Sequence, residues 1–206
     1  MRTPLRAGIA IYNDGHYHAA HDAWEAHWLD LESGSADERL LHGLIQFTAA
    51  VYHARNRNWA GCVGLAESAR GYLGELDDGY RECNVGAVRR FLADLGADPE
   101  LIERRAPIAL SHDGDVLGLH DCSPAEIAVA AAVLAEEWGN DDGLVERAGT
   151  YALADLETGR EQSPFLTLLR DFVCGDPDDR GVIVQRLSEH VDRRESRDRD
   201  VEGLFD

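Results

Sequence analysis

Five of the six prolines in this chain follow a Thr, Ser or Asp: Thr3-Pro4, Asp98-Pro99, Ser123-Pro124, Ser163-Pro164 and Asp176-Pro177. Such pairs read as helix starts. The small oxygen-bearing side chain accepts from the free N–H groups of the first turn, and proline at the first helical position loses no hydrogen bond. Ser123-Pro124-Ala125-Glu126 adds the spacing of a capping box, with the acid three residues after the serine reaching back to its N–H. Between these starts apolar residues recur at helical spacing, as in Leu144, Val145, Ala148, Tyr151, Ala152 and Leu156, or Phe165, Leu168, Leu169 and Phe172. The pattern predicts an all-α fold, a multi-helix bundle of about ten helices.

One segment departs from it. Ile108–His112 and Val116–His120 flank Asp113-Gly114, a dipeptide suited to a two-residue turn, so a short β-hairpin is expected near 108–120. Pro107 and several glycines interrupt the helical pattern there, which predicts a helical domain over 1–106, a linker or hairpin over 107–122 and a C-terminal helical region over 123–195. From Asp192 the chain alternates Arg with acids, and residues 196–206 read as a charged tail, mobile or loosely docked. Leu204-Phe205 at its end suits a peptide anchor or an incidental apolar end.

Composition narrows the setting. The 206 residues carry a formal net charge of −19, with 39 acids against 20 basic residues, and every basic residue is Arg. Carboxylates keep a hydrated, self-repelling surface where molar salt shrinks the Debye length to about 3 Å, so the balance points to a halophilic cytoplasm. It argues against nucleic acid as a partner: Arg55, Arg57, Arg89, Arg90, Arg104 and Arg105 form only local clusters. No stretch approaches the roughly 20 apolar residues of a membrane span, and the first ten residues lack a secretion signal, so a cytoplasmic location is expected. Cys62, Cys83, Cys122 and Cys174 lie far apart without a C-x-x-C pair, which reads as buried free thiols.

Chemistry-bearing residues concentrate early. Six of the nine histidines (His16, His18, His21, His27, His42 and His53) precede residue 54, with Trp24 and Trp28 among them. On a helix at about 100° per residue, Tyr17, Ala20, Trp24, Trp28 and Leu31 form one stripe with His21 inside it and Glu25 at its border. His21 and Glu25 are four apart and can hydrogen-bond or offer nitrogen and oxygen to one ion. The next helix, roughly 36–56, buries Leu41, Leu44, Ile45, Thr48, Val51 and Tyr52 on one side and carries His42, Gln46, Ala49, Ala50 and His53 on the other. The short connection Ser33-Gly34-Ser35 makes the two helices antiparallel neighbours.

These residues resemble a known family, the domain of unknown function 309. Its pattern is a short helix into an Asn-x-Gly turn, a His-acid-x-x-Glu-x-x-Trp helix and a Gly-Leu-Ile-Gln helix ending near His. Here they stand as Asn13-Asp14-Gly15-His16-Tyr17, as His21-Asp22-Ala23-Trp24-Glu25-Ala26-His27-Trp28, and as Gly43-Leu44-Ile45-Gln46 through Tyr52-His53. Asn58-Trp59-Ala60-Gly61-Cys62 resembles the family's start of a fourth helix. Arg57 stands where Gly is usual and Asp22 where Glu is more common. The resemblance covers roughly residues 5–96 and implies a compact all-α fold, without an established activity.

The candidate pocket therefore lies between the second and third helices, lined by His21, Glu25, Gln46 and His53 with Trp24 and Trp28. Three functions remain open to it. It is a structural hydrogen-bond network fixing the register of two helices. Or it binds a small ligand or a divalent transition metal (zinc, manganese or iron) through His21, Glu25 and His53, with Glu25 as a general base if uncoordinated, and hydrolysis is then open to it. Or the protein is a non-enzymatic helical scaffold for a protein partner or a second copy, with Trp24, Trp28 and Trp59 as contact aromatics. The spacing matches neither the His-Glu-x-x-His of zinc peptidases nor the Glu-x-x-His of di-iron bundles.

Overall fold

The computed structural model of the chain describes residues 1–160 and 162–202. Among the described residues there are ten α-helices and one two-stranded hairpin; the Leu204-Phe205 end lies outside them. The chain divides into two compact units, Met1–Asp121 and the part from Cys122 onward. No helix among the described residues is long and apolar enough to cross a membrane.

The first unit opens with α1 (Arg2–Asn13), α2 (Tyr17–Trp28), α3 (Ala36–Arg55) and α4 (Trp59–Leu73), followed by α5 (Val85–Ala97) and the single turn α6 (Leu101–Arg104). Helix α3 is its centre, packed against α2 and α4, while α1 covers α2 and α5 covers α4. Its buried residues Leu40, Leu44, Phe47, Val51 and Ala54 mark the inward arc, and Leu41, Ile45, Thr48 and Ala50 widen it, so α3 is covered on more than one face. Tyr52, expected inside with Leu41 and Leu44, is instead 46% exposed, and Ala50, expected on the polar side, is fully buried. The reason is packing. With α4 and α2 both against α3, the buried arc turns away from Tyr52 and leaves its ring at a groove edge.

Two helix ends in this unit are closed alike. After α1, the Gly15 N–H donates to Tyr12 O at 3.0 Å and the His16 N–H to Ile11 O at 3.2 Å, a Schellman closure with Gly15 at φ +93°. After α3, the Arg57 N–H reaches Ala54 O at 3.0 Å and the Asn58 N–H reaches His53 O at 2.9 Å. The left-handed position is here Arg57, φ 57°, where the resembling family usually has glycine.

The hairpin pairs β1 (Ser111–His112) with β2 (Asp115–Val116) antiparallel, Ser111 opposite Val116 and His112 opposite Asp115. Asp113 and Gly114 both take positive φ, as a type I′ turn requires. The strands are shorter than the alternation predicts because the flanking backbone bonds elsewhere. The Asn13 amide donates to Leu110 O and Leu117 O, both at 2.8 Å, and accepts from the Leu110 N–H. Asn84 does likewise for Ala109 and Ser111. The stretch 107–121, read as linker or hairpin, thus packs into the first unit.

The second unit consists of α7 (Pro124–Glu137), α8 (Asp142–Glu157), α9 (Pro164–Cys174) and α10 (Arg180–Glu202). Ser123 and Glu126 form the expected capping box. Ser163 precedes α9 as foreseen but gives its hydroxyl to the buried Asp155 carboxylate at 2.9 Å. Arg194 donates to the same carboxylate at 2.8 Å, so the stretch expected to be loose from Asp192 is helix through Glu202.

Candidate functional site

Helix α2 presents one face to α1 and another to a cleft. Ala19, Ala20, Ala23 and Trp24 are buried, and the Trp24 indole N–H donates to Leu5 O of α1 at 3.2 Å. His21 sits at the edge of that stripe rather than within it, its side chain 29% exposed. The cleft, of about 260 Å³, opens between α2 and α3: Tyr17, His18 and His21 form one wall, and Thr48, Ala49, Tyr52 and His53 the other.

At its α2 side three ionisable groups meet. Ligand atoms of His21, Asp22 and Glu25 lie within 4.8 Å of one another. His21 Nδ1 stands 2.8 Å from Asp22 Oδ1 and 4.0 Å from Glu25 Oε2. The other Asp22 oxygen accepts from His18 Nδ1 at 2.9 Å, so one carboxylate bridges two imidazoles. The hydrogen bond to Asp22 raises the His21 pKa above its ordinary 6.5 against the opposing effect of burial, and the charges of Asp22 and Glu25 add to the rise. Burial alone would raise Asp22, yet the His21 hydrogen bond and the His18 and His21 imidazoles bring it below its ordinary 3.8. Each partner thus favours the charged form of the other.

The far wall is set by the close of α3. Its Schellman turn delivers Asn58, which caps α4 by accepting from the Gly61 N–H at 3.1 Å and donates its amide to His53 Nδ1 at 2.7 Å. His53 thus lines the cleft opposite His21 and stands outside the three-residue cluster.

The other expected pocket residues stand elsewhere. Trp24 is fully buried in packing against α1. Trp28 donates its indole N–H to Glu38 Oε1 at 2.9 Å, beside His42, whose ring stacks on Tyr72 at 3.8 Å between centroids. Gln46 is half-buried on α3, outside the cleft lining. Conversely, Asp22, His18 and Tyr52 belong to the site without having been assigned to it. The i, i+4 spacing of His18 and Asp22 was a usable signal, whereas neighbours in sequence such as His21 and Asp22 ordinarily diverge on a helix.

Two of the buried thiols add no nucleophile. Burial pushes Cys62 up to about 11 and Cys83 up to about 12, so neither is a thiolate at neutral pH.

No curated protein matches the chain. Every residue of the cleft, and Asn58 and Gly61 behind it, falls within residues 5–65. Over that span the N-terminal part of the chain matches the model of the family described as Domain of unknown function (DUF309).

Proposed function

We propose that the chain binds a divalent transition metal ion through His21, Asp22 and Glu25 and offers it to a small ligand in the adjoining cleft. The observation that supports this is the convergence of one imidazole and two carboxylates within 4.8 Å, of which His21 lines the cleft. Nitrogen with carboxylate oxygen suits zinc, manganese or iron. His21 Nδ1 faces both carboxylates, so a cation replaces the proton held there and binding strengthens as pH rises. Three protein ligands leave positions for water or a ligand, the arrangement of a catalytic rather than a structural metal, and metal-assisted hydrolysis is the reaction class it suits.

Elemental analysis tests this. Protein stripped with a chelator and dialysed against Zn²⁺ or Mn²⁺ in molar KCl is expected to retain about one equivalent. Asp22→Ala and Glu25→Ala should fall well below that, and His53→Ala should not. An unloaded parent protein, or retention by both acid variants equal to the parent's, refutes the metal reading. Asp22 is already satisfied by two imidazoles, which favours a structural network as the second reading; it predicts lost stability in the same variants without lost metal. The surplus of acids over Arg supports a salt-rich cytoplasm as the setting for either.

A further inference from the structure

We infer that His53 donates its Nε2 hydrogen to an oxygen of the cleft ligand, fixed in that role by Asn58. The inference rests on the cleft being a ligand site, and not on the metal.

A backbone N–H only donates, so the Asn58 atom 3.1 Å from the Gly61 N–H is the amide oxygen. The atom 2.7 Å from His53 Nδ1 is then the NH₂ group, which only donates. His53 Nδ1 must accept, and the single ring proton of the neutral imidazole resides on Nε2. This is the reverse of a metal-ligating histidine, whose second nitrogen donates to an acceptor.

Local packing holds the arrangement. A Cβ at Gly61 would stand 2.8 Å from Asn58 Nδ2 and 3.0 Å from His53 Nδ1, so glycine there lets the amide reach the ring. Arg57 turns the chain so that Asn58 donates its backbone N–H to His53 O as well as its side chain to the ring. His53 is therefore tied at two points to one residue.

The ligand class follows from the wall chemistry. An N–H donor demands an oxygen or nitrogen acceptor, and Tyr17 and Tyr52 on opposite walls favour a flat apolar body between them. About 260 Å³ admits roughly nine non-hydrogen atoms, given about 30 Å³ per water. The occupant is a small planar carbonyl compound, an aromatic amide or acid, with its oxygen on His53.

The test uses full-length, metal-free protein in chelator, which separates it from the metal assay. Two-bond ¹H–¹⁵N spectra at about pH 9, above the imidazole range, are expected to show His53 protonated on Nε2. Asn58→Asp keeps the cap on Gly61 but offers His53 an acceptor, and should move the proton to Nδ1. Benzamide is the probe: it should shift the His53 and Tyr52 resonances of the parent and bind Asn58→Asp about tenfold more weakly. As variants that leave the cap untouched, His53→Gln retains a donor and should bind within a few-fold of the parent, whereas His53→Leu should lose about tenfold. A parent His53 protonated on Nδ1, an unchanged tautomer in Asn58→Asp, no response to benzamide, or equal binding by all variants overturns the inference.

Discussion

Gly8 lies directly beneath the Trp24 indole, so close that a Cβ at position 8 would overlap the ring around its Nε1. The contact lets α1 and α2 approach with the indole between them, its N–H on Leu5 O. Trp24 is fully buried, so the ring has nowhere to retreat. Gly8→Ala is expected to destabilise the protein by about 3 kcal/mol through overpacking, although alanine is the better helix former. Urea denaturation in high salt measures this; a variant as stable as the parent would mean that the ring can shift.

Arg57 predicts the opposite sign. It holds φ 57°, a conformation that costs a side-chain-bearing residue about 1–2 kcal/mol. Its ion pair with Glu103, at 2.8 Å, is largely exposed and repays little. Arg57→Gly should raise stability by about 0.5–1 kcal/mol. Destabilisation on thermal melting would show that the ion pair outweighs the backbone.

His21 and Asp22 define a pH window. His21 is raised above 6.5, so its contribution to folding is complete below that pH and fades as pH climbs through its native value. Asp22 is lowered below 3.8, so its contribution is complete above that pH and fades as pH drops through its native value. Together they stabilise most between about pH 4 and about pH 6.5. In Asp22→Asn the His21 titration followed by NMR should move to lower pH; an unmoved midpoint would show that another group sustains it.

Asp155 is 2% exposed and receives both Ser163 and Arg194. Burial would raise its pKa, yet the Arg194 and Ser163 hydrogen bonds hold it below 3.8. Its stabilisation is therefore present above that pH and lost on acidification through the native value. Asp155→Ala leaves Arg194 without its buried partner and should cost about 3 kcal/mol. Denaturant titration reads the loss, which should shrink under acid; a cost that persists unchanged there would argue for packing instead of charge.

The surplus of 39 acids over 20 Arg predicts a salt response. Raising KCl from about 0.1 M to about 2 M shortens the Debye length from about 10 Å to only a few Å and suppresses self-repulsion, so the melting midpoint should climb. A midpoint that falls with salt would contradict the halophilic reading.

Local grammar was legible in the residues, and long-range satisfaction was not. Ser123 and Glu126 cap α7 as their spacing requires, and Asp113-Gly114 turns the hairpin. Thr3 and Asp98, with the same signature, cap nothing: α1 already begins at Arg2, and Asp98 ends α5. Ser163 starts α9 but spends its hydroxyl on Asp155, a partner fixed only by tertiary packing. In the site, Trp24 was rightly placed in an apolar stripe, yet that burial removes it from the cleft. Trp28 was grouped with His21, and Gln46 with His53, by helical angle, but the angle fixes a direction and not which neighbour stands there. The His21–Asp22 contact escaped notice because adjacent helical residues diverge, and theirs meet only as the imidazole leans sideways to a carboxylate already held by His18.

The Asn13 amide finds Leu110 and Leu117 about a hundred residues downstream. During synthesis the turn joining α1 to α2 therefore leaves the ribosome long before the backbone groups that complete it, and the segment carrying the cleft waits on the hairpin to settle. A nascent chain halted before residue 110 would hold these helices with an orphaned amide at their junction, so the histidine cleft should mature only after the hairpin is made.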